Sequence, residues 1–272
     1  YMTAHKFIRK VLHRNRIQPN CLVVCDECYY SSANLQSVLV KLALYDDVQL
    51  ILAGDPRQLE CPLNFWRGVP VSGCLEHSQL LTSLCPIAYT LTVGKRNDPI
   101  LQEYTDRIRR GLDDLDDLVS MGRVAFTCPG PFDYTICITN RRRRSVNARA
   151  LALALAALPP GTPRVSLHGK DGHMVLWPGL QVIGACGGGK TTNGKFYNVD
   201  SVDPLVVGGI ALKVEQAGAS LRHCWGLTSD SSQSKTLAGN ILVTETDHDH
   251  LTHARLLVSA SRATHSSRLC IR

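Results

Sequence analysis

The chain has 272 residues, 44% hydrophobic and 19% charged, with a formal net charge of +7. This is an ordinary globular balance, enough for one large or two ordinary domains with a core that needs no staples. It excludes a membrane-spanning chain, because the longest apolar stretch, 148–158, is interrupted by Arg149 and is too short to cross a bilayer. Eleven cysteines, an odd number at irregular spacing, and no signal-peptide pattern point to a reducing intracellular compartment, cytoplasm or nucleus. The mild basic excess suits a polyanionic partner.

The chain opens at Tyr1 inside a helical pattern and reads as a fragment. Residues 21–25 (CLVVC) form an apolar run that ends in Asp26-Glu27, and 48–53 (VQLILA) form another that ends in Gly54-Asp55. Between them, 34–45 places Leu35, Val38, Leu39 and Leu42 at helical spacing. Strand, helix and strand with continuous apolar strands predict a parallel sheet buried on both faces. Ligands of such sheets sit at the carboxyl ends of the strands, where both acidic pairs lie. Cys25 and Cys28 make a C-x-x-C pair with no second pair at ligand spacing, a weak zinc signal.

A helix is expected at 100–111, followed by an acidic connector at 113–117. A second α/β unit starts with a strand at 134–139 and a helix at 145–158, stopped by Pro159-Pro160. The run Arg141 to Arg144 falls between them. From 161 to 223 glycine and proline are frequent, short β-type runs recur (LQVIG, YNVDSV, IALKV), and Asn193-Gly194 signals a hairpin. The α/β texture returns with a strand at 240–244, a helix at 251–261 and a strand at 268–271.

VVCDE, ending at Asp26 and Glu27, has the chemistry of a Walker B strand. One carboxylate can hold Mg²⁺ through its waters, and its neighbour can deprotonate an attacking water. Two acidic residues alone would equally mark an acidic turn. LILAGDPRQLEC adds Gly54, Asp55 and Gln58 after the next strand, and an amide there can sense a terminal phosphate. The two segments together, at this spacing, resemble motifs II and III of superfamily I helicases.

Five further segments match that family in order. Thr3-Ala4-His5-Lys6-Phe7 is similar to motif Ia, which lines the single-strand path; LTVGKRND resembles motif IV, in which Arg96 would reach the γ-phosphate. ITNRRRRSVN, with Thr139 and Asn140, resembles the opening of a second RecA-like domain. LTSDSSQSKTL, with Thr228, Gln233 and Thr236, resembles motif V; LVSASRAT resembles motif VI, with Arg262 as the arginine finger. The β-rich stretch before motif V is similar to that of the RecD-like and large-DNA-virus branch.

The resemblance implies two RecA-like parallel-sheet domains, the first truncated at its N-terminus, with a small β-rich insertion in the second. The boundaries are 1–95 for the remainder of domain 1, 96–125 for a helical connector, 126–160 with 224–272 for domain 2, and 161–223 for the insertion. It implies an ATP-dependent DNA helicase or translocase with ATP and Mg²⁺ as cofactors, the metal on Asp26 through water. Glu27, Gln58, Arg96 and Arg262 would be catalytic, with Asp26, Gly54, Asp55 and Gln233 at the nucleotide. Thr3, His5, Thr139, Asn140, Thr228 and Thr236 would touch single-stranded DNA. An RNA helicase, or a decayed helicase-like binder, remains the alternative; replication or repair proteins would be partners, in a viral setting as well as a cellular one.

Two departures matter. Ser234 stands where motif V has glycine, and a side chain there could crowd the backbone. The Walker A loop is expected before residue 1, so the 272-residue chain alone is expected to hydrolyse ATP poorly or not at all. The stretch from Gly184 to Thr191 satisfies G-x-x-x-x-G-K-T to the letter. A working phosphate loop must open a helix. The continuation of this stretch through Asn193-Gly194 into FYNV is hairpin-like, with no helical period, so an exposed turn is expected.

Overall fold

The computed structural model describes residues 20–45, 48–59, 65–66, 69–70, 85–169, 171–185 and 190–272. The chain divides into two compact units, Tyr1–Gly94 and Lys95–Arg272.

In the first unit β1 (Leu22–Cys25) and β2 (Gln49–Leu52) are parallel, with Cys25 opposite Leu52. Helix α1 (Ala33–Tyr45) connects them, and β3 (Phe65–Trp66) pairs antiparallel with β4 (Val69–Pro70). Leu39, Val40, Val48 and Leu59 are buried. The expectation of a sheet buried on both faces is not met. Leu22, Val24 and Ile51 are 55%, 60% and 50% exposed. Side chains alternate across a strand, so one helix layer covers only every second residue.

The second unit begins with α2 (Pro99–Arg110) and α3 (Leu115–Ala125). Asp98 caps α2, Pro99 supplies its first turn, and Gly111 ends it at φ 65°. The acidic segment expected as a connector is instead a helix start. Asp114 accepts from Asp116 N, and Asp116 and Asp117 sit in the first turn of α3, where carboxylates meet the positive end of the helix dipole. Leu101, Tyr104, Ile108, Leu118 and Val119 of these helices share one core with the main sheet.

That sheet is parallel, ordered β13 (Gly226–Thr228), β5 (Tyr134–Cys137), β14 (Ile241–Val243), β15 (Leu269–Ile271). Ile136, Leu227, Ile241, Val243 and Leu269 are fully buried, as a parallel sheet covered by helices requires. The short strand β13 lies in the motif V stretch, where the sequence pattern suggests only a loop. Helix α4 (Asn140–Ala157) starts five residues before its expected beginning, because the Thr139 hydroxyl accepts from Arg142 N. The arginine run therefore lies within the first turns of a helix rather than in the loop before it. Helix α7 (His253–Ala260) precedes β15.

The expected β-rich insertion is a hairpin, β6 (Val165–Gly169) with β7 (Gly172–Leu176), and a five-stranded sheet. The sheet is ordered β11 (Ile210–Ala211), β10 (Leu205–Val207), β9 (Phe196–Val202), β8 (Gln181–Gly184), β12 (Leu221–His223), with α5 (Val214–Ser220) before β12. Leu167, Met174, Leu176, Val182, Val199, Val207 and Leu221 form its own core. Helix α6 (Ser229–Ser232) directly follows β13.

Candidate functional site

In the first unit, Asp26 and Glu27 end β1, and Gly54 and Asp55 follow β2. Parallel pairing places the two loops side by side, and Cys28 N donates to Ala53 O at 2.8 Å to join them. Glu27 adopts φ 54°, an uncommon left-handed conformation, and its N–H donates to Asp26 Oδ1 at 2.9 Å. Gly54 is required by space: a Cβ there would lie 2.9 Å from Tyr29 Cδ2 and 3.1 Å from Cys28 N.

The Asp55 carboxylate organises the next turn, accepting from Arg57 N at 3.0 Å and from Gln58 Nε2 at 3.3 Å. The other end of that amide, Gln58 Oε1, is buried and has no hydrogen-bond partner among the described residues. A buried acceptor left unsatisfied is costly, which makes it a marker for a donor brought by a ligand. Asp26 is an exposed hard-oxygen donor, the type Mg²⁺ takes alongside its own waters. The described residues contain no cluster of three metal-ligating side chains. Burial pushes the Cys28 thiol of the Cys25–Cys28 pair up to about 11 and also raises Cys25.

In the second unit the same logic recurs at the ends of β5, β13 and β14. Thr139 follows β5 and Thr228 ends β13, whose residues pair with β5. Both threonines are helix caps, Thr139 accepting from Arg142 N at 3.1 Å and Thr228 from Ser231 N at 3.2 Å. Asn140 Oδ1 accepts from Arg143 Nε at 3.2 Å. Of the arginine run, Arg141, Arg142 and Arg144 are exposed, but Arg143 is 3% exposed and is held by both carboxylate oxygens of Asp171. It is removed from any nucleic-acid surface by that pairing.

The motif V-like segment answers the doubt about Ser234. Ser234 takes φ 61°, a left-handed conformation that suits glycine. Gln233 is buried, Thr236 is exposed, and the half-buried ammonium of Lys235 is pushed down to about 8 by desolvation and by the charges of Arg222 and Arg262. Arg96 is exposed on the stretch before α2.

Arg262 is not presented as a free finger. It is 1% exposed, and its guanidinium donates to Val258 O at 2.8 Å, Lys235 O at 3.0 Å, Ser232 O at 3.4 Å and Ser261 Oγ at 2.8 Å. A charge this deep is tolerable only when its donors are satisfied, and here they brace the segment from Ser232 to Lys235. Thr3 and His5 lie outside the described residues.

Glu245, just beyond β14, escapes a reading of the sequence. Its carboxylate accepts from Ile138 N, Thr139 N and Thr139 Oγ, at φ 63°. The signal used for Asp26, a carboxylate after a buried parallel strand, is present there too.

Of the Gly184–Thr191 stretch, residues 186–189 lie outside the described residues; Gly184 ends β8, which pairs antiparallel with β9, and Thr191 is 3% exposed and so does not sit on the exposed turn expected. No helix succeeds it: residues 192–195 turn directly into β9, and Gly194 has φ 76°. Lys190 Nζ donates to Ala211 O at 2.8 Å. This is hairpin geometry, without the helix N-terminus a phosphate loop needs.

Among solved structures, Pif1 helicase from Candida albicans aligns with a TM-score of 0.63 at 16% identity, over 99% of this chain and 76% of that one. The likeness is one of fold. A second Pif1 structure, solved to explain DNA unwinding at forked double-stranded DNA by two coordinating Pif1 helicases, aligns at TM-score 0.58 and 14% identity, over 92% of this chain and 68% of that one. No protein-family model and no curated protein sequence matches. The Pif1-like fold accounts for the α/β class and the RecA-like parallel sheets. No helix among the described residues is long and apolar enough to cross a membrane.

Proposed function

We propose that this chain is motor-core sequence of a superfamily I helicase of the RecD-like branch, coupling Mg-ATP hydrolysis to movement on single-stranded DNA. The observation that carries the reading is Gln58, whose Oε1 is buried without a partner among the described residues while its Nε2 is fixed by Asp55, beside the Asp26-Glu27 strand end. A phosphate-bound water, or another donor arriving with nucleotide, would satisfy it. Asp26 would hold Mg²⁺ through water, Glu27 would take the proton of the attacking water, and Gly54, Asp55 and Gln233 would lie at the nucleotide. When bound, Mg-ATP supplies the phosphoryl group to be transferred.

Arg96 is exposed and can meet a γ-phosphate directly. For Arg262 the role requires an exchange, in which the guanidinium leaves the Ser232 and Lys235 carbonyls for phosphate oxygens. That exchange would release the Thr228-to-Thr236 segment as the γ-phosphate is engaged, coupling nucleotide to strand. The strand would run along Thr139, Asn140, Thr228 and Thr236, held mainly at its phosphates, with Thr3 and His5 extending the path. The setting is intracellular, with replication or repair proteins as partners. A second reading, a non-catalytic nucleic-acid binder, draws on the burial of Arg262.

The deciding experiment measures steady-state phosphate release, with and without single-stranded DNA, by the full-length protein. Stimulated release that Glu27→Gln abolishes, with ATP binding retained, supports the motor. Strand binding without any release supports the non-catalytic reading.

A further inference from the structure

Arg96 and Arg262 are 166 positions apart, yet the residues that directly succeed each of them are fastened together. Asn97 Nδ2 donates to Ala263 O at 2.6 Å, and Asp98 N donates to Thr264 O at 3.2 Å. Asp98 Oδ2 accepts from Ser266 N at 3.1 Å and from Ser266 Oγ at 2.6 Å, with His265 Nδ1 at 3.4 Å. The other carboxylate oxygen, Oδ1, accepts from Leu101 N at 3.0 Å and caps α2.

The division of labour within that carboxylate is informative. A cap needs one acceptor, and serine, threonine or asparagine would provide it. The second oxygen of Asp98 contributes nothing to the cap; it is spent wholly on the segment after Arg262. Asn97 adds a second, separate attachment one residue away. Two attachment points fix direction as well as distance, so the stretch that starts at Arg96 cannot swing independently of the stretch that starts at Arg262.

We infer that Asn97 and Asp98 are positioning residues that latch Arg96 to the Arg262 segment, so that the two arginines address one phosphate group as a unit. This rests on the nucleotide reading above. The latch acts through the backbone on either side of the arginines and touches no nucleotide itself. Its worth lies in pre-set geometry, since a reacting group misplaced by about 1 Å can cost ~10²-fold in rate.

The test uses the full-length protein. Asp98→Asn keeps one acceptor for the helix cap but leaves none for Ser266. Ser266→Ala loosens the latch from the other side without touching the cap, so it carries the test if Asp98→Asn should fold poorly. The expected result, measured well below the melting midpoint of every variant, is a DNA-stimulated kcat about tenfold or more lower with KM for ATP within about threefold. The double variant should be no worse than Asp98→Asn alone, as for two residues of one interaction. A wild-type kcat in both variants, losses that multiply, or kcat falling only in step with melting would overturn the latch while leaving the helicase reading intact. A wild-type protein that releases no phosphate would overturn the helicase reading itself and the latch with it.

Discussion

Glu245 and Thr139, 106 residues apart, share two hydrogen bonds: Thr139 Oγ donates to Glu245 Oε1 at 2.7 Å and Thr139 N to Oε2 at 2.9 Å. Ile138 N donates to the same Oε2 at 2.9 Å. One carboxylate thus closes the carboxyl end of β5 at the point where α4 begins. Thr139, expected at the nucleic acid, has its hydroxyl committed in both directions, donating to Glu245 and accepting from Arg142 N. Glu245→Ala should therefore lower unfolding stability by about 1.5–3 kcal/mol, the range for hydrogen bonds to a charged group. Urea denaturation of the 272-residue chain checks this. Glu245→Gln, which keeps one acceptor, should lose less.

Arg143 and Asp171 tie α4 to the tip of the β6–β7 hairpin. Burial works against the Asp171 charge, but the Arg143 hydrogen bonds and the charges of Arg143, Arg222 and Arg144 outweigh it and hold the carboxyl below its usual range. A carboxylate with a depressed folded pKa adds stability that is present above its unfolded value, about 3.9, and is lost as pH falls through the folded value. Arg143→Ala should remove that increment and destabilise the chain by ~3 kcal/mol, the low end for breaking a buried pair because Arg144 remains at 3.4 Å. Melting curves at neutral pH and below pH 4 should differ between wild type and variant at neutral pH and converge in acid, roughly as Asp171 titrates.

Ser234 occupies a backbone conformation that suits glycine. Ser234→Gly relieves about 1–2 kcal/mol of left-handed strain but gives back about 0.5–1 kcal/mol of chain entropy, so it should be neutral or mildly stabilising. Ser234→Val should be clearly destabilising, because a β-branched side chain fits φ 61° poorly. If thermal melts rank valine at or above glycine, the assigned backbone conformation is wrong.

Lys190 belongs to a hairpin and not to a phosphate loop. Lys190→Ala should leave ATP affinity and DNA-stimulated phosphate release within about twofold of wild type, far from the loss expected at a lysine that cradles phosphates. A hundredfold loss of nucleotide affinity would instead relocate the nucleotide site to the Gly184–Thr191 stretch.

Strand binding should be electrostatic. Affinity for single-stranded DNA should fall with salt, with a log–log slope of about −0.7 for each phosphate neutralised. Arg141→Ala should flatten that slope, whereas Arg143→Gln should leave it unchanged, since Arg141 is exposed and Arg143 already faces Asp171. Filter binding or fluorescence anisotropy across a salt series separates the two.

The elements of this protein are legible locally. Apolar runs, a proline after Asp98, and Asn193-Gly194 place strands, a helix start and a hairpin within a few residues of where they occur, because periodicity and turn chemistry act over one or two turns of chain. The same local reading separates the Gly184–Thr191 stretch from a phosphate loop, since the lack of a helical pattern after Thr191 is visible in the residues themselves. The acidic helix start of α3 is legible in principle, yet it reads as a connector because residues 113–117 hold four carboxylates and one leucine. What only the tertiary structure decides is the commitment of each polar group. Arg262 reads as a finger until the carbonyls of Ser232 and Lys235 take its guanidinium. Arg143 reads as one of four surface charges until Asp171 meets it, and Glu245 reads as nothing until it reaches β5. These partners are 27 to 107 residues away. A hydrogen bond depends on atoms within about 3 Å in space, and sequence neighbours carry no record of which distant strand end will be brought that close.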